Sequence, residues 1–263
     1  MDKVADFHWG IRSGGPVPNA IPEQLVPQTF TDAYRAQSIL VERILAAASG
    51  GPAEKIGYKI ACTSKIARQL FGADGPVFGR LLSCSSWPTG KTLSAAEFPM
   101  IALESEFAFR MARDVPESSI PWARETIFPF IGEMLPALEL VANRFSGWSA
   151  YSSTSLAADN AVNHGWIHGE ATNDWREVEL ADHPVALRVN GENILTGTGA
   201  NVMGHPLHAL AWLANALPAH GLELLEGDLV TTGVCTDVHV SRPGECVQAD
   251  FGTLGTVEVN VTE

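Results

Sequence analysis

Residues 185–196 read VALRVNGENILT. Two short runs, Val185 to Val189 and Glu192 to Thr196, flank Asn190-Gly191. Asn-Gly supplies the positive φ angles that a two-residue turn demands, so the spacing predicts a β-hairpin. Downstream, Gly197, Gly199 and Gly204 precede a helix predicted from Pro206 to about Leu217. Proline suits the first helical position, and Leu207, Leu210, Ala211, Ala214 and Leu217 form one apolar stripe that Pro218 and Gly221 terminate. The glycines mark a tight turn or a backbone approaching a ligand; they do not make a GxGxxG after a strand, so no dinucleotide site is expected. The tail reads as strands at 229–232, 246–251 and 256–261.

Upstream of the hairpin, alternation at 106–111 and at 137–141 predicts two further strands. Before Lys55 the pattern changes. Thr31 is the expected N-cap of a helix running to about Ser49, which Gly50-Gly51 stops. The segment up to Gln28, with Gly14, Gly15, Pro16, Pro18, Pro22 and Pro27, reads as an extended arm. The expected class is α+β, mainly β: a folded-over sheet or barrel-like roll. The expected division is an N-terminal arm and helical part at 1–54 and a β-roll domain at 55–263.

Composition limits function. A chain of 263 residues that is 46% hydrophobic has ample length for a buried core and excludes a disordered or collagen-like polymer. With 17 basic against 30 acidic side chains and a formal charge of −13, no basic stripe is available for nucleic acid, and an anionic substrate would need a cation. Cys62, Cys84, Cys235 and Cys246 include no CxxC pair, so they are expected to be free thiols. The first ten residues lack the apolar core of a signal peptide, and 207–217 is too short to cross a bilayer, so a cytoplasmic, membrane-free protein is expected.

Three acidic residues are the candidates for chemistry. Glu104 and Glu106 are two apart where an apolar segment enters a strand, so their side chains share a face. Such a pair is either a solvated strand edge or a site that requires a counter-cation. Glu139, inside the β-like run Pro136 to Val141, has apolar neighbours on both sides and is expected to be buried with a partner. Three carboxylates match the hard-ligand preference of Mg²⁺ or Mn²⁺, whereas Zn²⁺ would recruit His or Cys. His164 and His168 lie in a glycine-flanked segment and read as structural. Lys59, between Tyr58 and Ile60, either snorkels or is buried beside anions, where desolvation would lower its pKa and suit it to proton transfer. Asp159-Asn160 reads as a turn or a helix cap.

Taken in order, Gly57-Tyr58-Lys59-Ile60, Thr63-Ser64-Lys65, Pro76 to Gly79, Glu104-Ser105-Glu106-Phe107-Ala108-Phe109, Pro136-Ala137-Leu138-Glu139, Ala158-Asp159-Asn160-Ala161, Gly204-His205-Pro206-Leu207, Trp212-Leu213-Ala214 and Gly227 to Gly233 make a specific set. From about Leu25 to Val261 the chain resembles the 2-keto-4-pentenoate hydratases and their sister 4-oxalocrotonate decarboxylases, within the fumarylacetoacetate hydrolase superfamily. The resemblance implies a mixed β-sandwich roll with an N-terminal helical part, and Mg²⁺ or Mn²⁺ held by Glu104, Glu106 and Glu139. It implies Lys59 and Asp159 as catalytic groups and Thr232, Val77 and Arg144 as substrate-binding ones. The implied substrate is a small 2-hydroxy-2,4-dienoate or its 2-oxo tautomer from aromatic-ring breakdown, converted to a 4-hydroxy-2-oxo acid. It further implies a homo-oligomer, with a related decarboxylase or hydratase as companion.

Two departures bear on the reaction. Val77 stands where many of the hydratases carry the Asp of Pro-Asp-x-Gly, as in the decarboxylase branch. Ala142-Asn143-Arg144 replaces a frequent Asp-Ser-Arg. Decarboxylation of a 2-oxo-3-enedioate is therefore the first rival, and a non-catalytic partner subunit another. C–C hydrolysis ranks lower, because His8 has no Glu at helical spacing.

Overall fold

The computed structural model describes residues 1–263. Helices α1 (Asp2–Arg12) and α2 (Phe30–Ala47) lead into strand β1 (Lys55–Ala61), helix α3 (Lys65–Phe71), strands β2 (Val77–Leu82), β3 (Ser86–Pro88), β4 (Lys91–Ser94) and β5 (Ala102–Met111), helix α4 (Arg124–Ile127) and strand β6 (Ile131–Val141). Helix α5 (Ser153–Ala158), strands β7 (Asn163–His168), β8 (Pro184–Val189) and β9 (Glu192–Thr198), helix α6 (Pro206–Ala216) and strands β10 (Leu229–Val234), β11 (His239–Val240), β12 (Cys246–Asp250) and β13 (Thr256–Thr262) complete it.

The strands form two sheets. The larger runs β2-β1-β10-β5-β6-β7-β3, with β11 also paired to β5, and the smaller runs β4-β13-β12-β8-β9. The expected hairpin is β8–β9: Asn190 and Gly191 both have positive φ, and Asn190 Oδ1 accepts the Cys246 N–H at 2.9 Å, which fastens the turn to β12. Period-two alternation divides the large sheet's side chains between its two faces. Leu103, Phe107 and Phe109 of β5 join the main core, whereas Ala108 faces a smaller cluster with Leu81, Leu135, Ala137 and Trp166. Glu104 and Glu106 share the face of Ala108.

The large sheet is strongly curled. Lys59 on β1 and Glu139 on β6 are separated by β10 and β5, which in a flat sheet would put their backbones about 14 Å apart. Their side chains nevertheless meet at 3.0 Å. Curling also brings the outer edge of β2 to the segment before β7, where the Asn160 side chain accepts the Arg80 N–H at 2.6 Å and donates to the Arg80 carbonyl at 3.0 Å. An amide side chain thereby pairs an edge that has no strand neighbour.

Two expectations for the N-terminal part are corrected. Residues 2–12 are not an extended arm; they form α1, whose buried Val4, Ala5, His8 and Ile11 fall on one helical face. The Pro/Gly richness that prompted the arm reading starts only at Gly14. Helix α2 is capped by Thr29, whose hydroxyl accepts the Asp32 N–H, so it begins before Thr31. From its buried face Gln37 donates to the carbonyls of Phe78 and Ala157 at 2.9 and 2.7 Å, tying α2 to β2 and α5. No helix is long and apolar enough to cross a membrane.

Candidate metal centre

Strand pairing sets the acidic site. In the β5–β6 register Glu104 lies directly opposite Glu139, and Glu106 is one same-face step along. One carboxylate oxygen from each of the three lies within 4.8 Å of the others. Glu106 and Glu139 are completely buried, as is Lys59, and Glu104 opens onto a cavity of about 890 Å³. The cavity is mostly apolar. Cys62, Thr63, Val162, Trp148, Val238 and residues of α3 are among those that line it.

Each buried carboxylate is held from one side. Thr231 Oγ1 and the Gly233 N–H both donate to Glu106 Oε2, the latter at 2.8 Å. Glu139 Oε1 accepts from Asn163 Nδ2 at 2.9 Å and pairs with Lys59 Nζ at 3.0 Å. Glu106 Oε1 and Glu139 Oε2, both buried, have no partner. Were all three carboxylates ionised, one ammonium would leave two negative charges uncompensated, and the free lone pairs belong to hard oxygen donors with no His or Cys among them. This donor set fits a divalent hard cation such as Mg²⁺ or Mn²⁺.

Electrostatics agrees with the geometry. Burial first, and then the charge of Glu139, push the Glu104 carboxyl up to about 7. The same two causes, joined by Glu104, raise Glu106 well above the usual range. For Lys59, burial acts to lower the pKa, but Glu139, Glu104 and Glu106 together outweigh it and the result is raised. The expected downward shift is thus reversed: a lysine beside three carboxylates is held as an ammonium.

The remaining expected site residues do not reach the cavity. Asp159 is buried in an ionic cluster, with Arg12 Nε on its Oδ1 at 2.6 Å, and Arg144 Nη1 and Tyr151 Oη on its Oδ2 at 3.3 and 2.8 Å. Burial would raise its carboxyl, but Arg12 and Arg144 overcome this and hold it well below the usual range, as an ion-paired carboxylate. Arg144 is committed to that cluster and to His164 Nδ1, and burial lowers His164 to about 3, leaving it neutral. Thr232 points to the opposite face of β10, where its hydroxyl donates to the Phe107 carbonyl at 2.7 Å; its neighbour Thr231 is the one that meets Glu106. Val77 is packed in the main core and does not line the cavity.

Sequence reading missed Thr231, Gly233, Asn163 and Arg12. Strand alternation on β10 separates Thr231 from Thr232, but the sign of the alternation needs the β5 register. Asn163 and Arg12 carry no local signal for their tertiary partners. The cysteines are free, Cys62 and Cys235 being buried.

The turn from α5 to β7 is the most unusual backbone in the molecule. Asn160, Ala161 and Val162 all have positive φ, at 52°, 48° and 53°. Left-handed conformation costs roughly 1–2 kcal/mol for each residue bearing a Cβ, and β-branched Val162 is a poor candidate for it. From this turn the Ala161 carbonyl accepts from Lys59 Nζ at 3.1 Å. Gly79 makes the close approach feasible, since a Cβ there would lie 2.6 Å from the Asn160 carbonyl oxygen.

A curled mixed sheet carrying three convergent carboxylates at an apolar cavity makes a candidate metal centre. Residues 76–262 match the family described as fumarylacetoacetate (FAA) hydrolase C-terminal, and the chain belongs to that family. It is 28% identical over 256 residues to 2-keto-4-pentenoate hydratase of Paraburkholderia xenovorans strain LB400, covering 97% of this chain and 92% of that protein. It is 27% identical over 241 residues to a 4-oxalocrotonate decarboxylase of Pseudomonas putida, covering 92% and 87%. Its fold is similar to that of the 4-oxalocrotonate decarboxylase from Pseudomonas putida G7, solved with magnesium and adipate, with TM-score 0.88, 24% identity, and coverage of 98% and 96%.

Proposed function

We propose that the protein is a divalent-metal-dependent hydratase that converts a 2-hydroxy-2,4-dienoate to a 4-hydroxy-2-oxo acid. The observation that carries this reading is the buried Glu104–Glu106–Glu139 trio with its two unpartnered oxygens, set beside Lys59 at the end of a largely apolar cavity. The hydratase relatives and the in-order motifs support it.

Glu104, Glu106 and Glu139 would hold Mg²⁺ or Mn²⁺, and the ion would supply Lewis-acid polarisation of the substrate's 2-oxygen. Lys59 Nζ has three protons, of which two are used on Glu139 Oε1 and the Ala161 carbonyl. The third is free for the substrate carboxylate or for delivery to a carbon of the dienolate. The apolar walls accept the diene and exclude bulk water. Thr63, Ser64, Asn201, Thr236 and Asp237 are among the polar lining groups available to place the single water that adds across the double bond.

Decarboxylation of a 2-oxo-3-enedioate is the second reading, favoured by Lys65 and Arg68 in the cavity wall, which offer cations to a second carboxylate. The purified protein is assayed with Mg²⁺ or Mn²⁺ on both substrate types. Hydroxy-acid formation without CO₂ release supports the hydratase; CO₂ release without hydroxy acid selects the decarboxylase. A homo-oligomer, and association with a companion enzyme of the same group, are also part of this proposal, read by mass in solution with and without the companion. Turnover seen only in the companion's presence would select the partner-subunit reading.

A further inference from the structure

We infer that the left-handed turn Asn160–Val162 is a clamped positioning device that aims the Ala161 carbonyl at Lys59. The inference rests on the functional role proposed for Lys59 and adds residues to which no role has been assigned. A backbone conformation this unfavourable persists only where the surroundings over-determine it. Here they do so from two directions. The Asn160 amide donates to and accepts from the backbone of Arg80 on the open edge of β2, with both atoms engaged. The Arg12 guanidinium, reaching in from α1, bridges the two ends of the turn: Nη2 donates to the Asp159 carbonyl at 2.7 Å and Nη1 to the Asn163 carbonyl at 3.1 Å.

The turn's product is one carbonyl oxygen in a place that regular structure would not put it. A right-handed connection from α5 to β7 would direct the Ala161 carbonyl elsewhere, and the Lys59 ammonium would be left with Glu139 as its only acceptor. With the carbonyl present, Nζ is pinned between a backbone oxygen and Glu139 Oε1, so its remaining proton has a fixed direction. The three carboxylates belong to β5 and β6 and lie outside the turn; their direct link to it is Asn163 at its end, which steadies Glu139 and whose backbone is also held by strand pairing opposite Val141. Asn160 is therefore a positioning residue for Lys59 with little influence on cation affinity, while Arg12 holds both the turn and the Asn163 backbone.

The experiment compares Asn160→Ala, Asn160→Ala/Ala161→Gly and Lys59→Met with the parent enzyme, measuring kcat, folding by circular dichroism, and Mn²⁺ affinity by electron paramagnetic resonance. Asn160→Ala removes the clamp and is expected to lower kcat about tenfold or more, with the Mn²⁺ dissociation constant within about threefold of the parent. Ala161→Gly lowers the preference against left-handed backbone, so the double variant is expected to recover most of kcat. Parent-like kcat in a folded Asn160→Ala protein, equal losses of kcat and Mn²⁺ affinity, or failure of the glycine to restore turnover would each overturn the inference. Should Asn160→Ala not fold, Asn160→Gly, which keeps the backbone conformation accessible but lacks the clamp, is read by the same kcat and Mn²⁺ criteria. Lys59→Met with full kcat would instead defeat the role proposed for Lys59, whereas an inactive Lys59→Met beside a fully active Asn160→Ala defeats the turn alone.

Discussion

Glu104 and Glu139 face each other directly across the β5–β6 pair, two carboxylates on a sheet face that also carries Glu106 and has Lys59 as its one cation near them. Like charges directly opposite destabilise a sheet, and a bound cation converts the repulsion into attraction. Mg²⁺ or Mn²⁺ should therefore raise the melting temperature, with a stabilisation of about 2.7 kcal/mol at a free metal concentration one hundred times Kd. A melting curve indifferent to both ions would remove the metal site.

Glu106→Gln tests the same site with two readouts of opposite sign. Metal affinity should fall by more than the roughly 10–100-fold typical of losing an outer hydrogen-bonding partner. The metal-free protein should become more stable, because a buried carboxylate with an unpartnered oxygen is replaced by a neutral amide. Calorimetric titration and metal-free thermal melts measure the two effects.

Lys59→Met should lower kcat by about 10²–10⁴-fold if the ammonium delivers a proton. A variant that retains substrate affinity but not turnover assigns Lys59 to proton delivery. One whose KM rises while kcat holds assigns it to carboxylate binding.

Gly233→Ala should disturb the metal centre through backbone alone. Gly233 has φ +112°, and a Cβ there would lie 2.1 Å from Thr63 Oγ1, so the chain must shift and its N–H move off Glu106. Mn²⁺ affinity should drop with no acidic ligand altered, and parent-like affinity would show that the Gly233 N–H does not steady Glu106.

Asp159→Asn should destabilise the protein by about 3–5 kcal/mol at neutral pH, since it leaves Arg12 and Arg144 buried without their counter-charge. Asp159 is depressed in the folded state, so its contribution is complete above its unfolded pKa of about 4 and is lost as pH falls through the lower native value. The stability gap between parent and variant should be constant from pH 7 to about 5 and close below about 4. A gap that widens on acidification would contradict the ion-pair assignment.

The sequence discloses elements where local chemistry is decisive. Asn190-Gly191 fixes a hairpin whatever surrounds it, Pro206 opens α6, and residues two apart on a strand must share a face, which is why Glu104 and Glu106 converge. It is silent where the outcome depends on curvature and register. The meeting of Lys59 with Glu139 requires two intervening strands to bend. The choice of Thr231 over Thr232 depends on which face of β10 meets Glu106. Asp159 reads as a pocket residue until Arg12 is seen to come from a helix about 150 residues earlier. The left-handed Asn160–Val162 turn has no glycine to announce it; only its clamps, all distant in sequence, make it tenable.

The bend of the large sheet has a consequence for how the protein fails. Because the ammonium and its carboxylate stand on strands that are not adjacent, flattening the barrel wall would part them before any single strand pair had dissociated. Catalytic competence and closure of the wall are then a single cooperative property. Heat or denaturant should extinguish turnover, ion retention and the near-ultraviolet signal of Trp148 and Trp166 together, with no active intermediate between the native and opened forms.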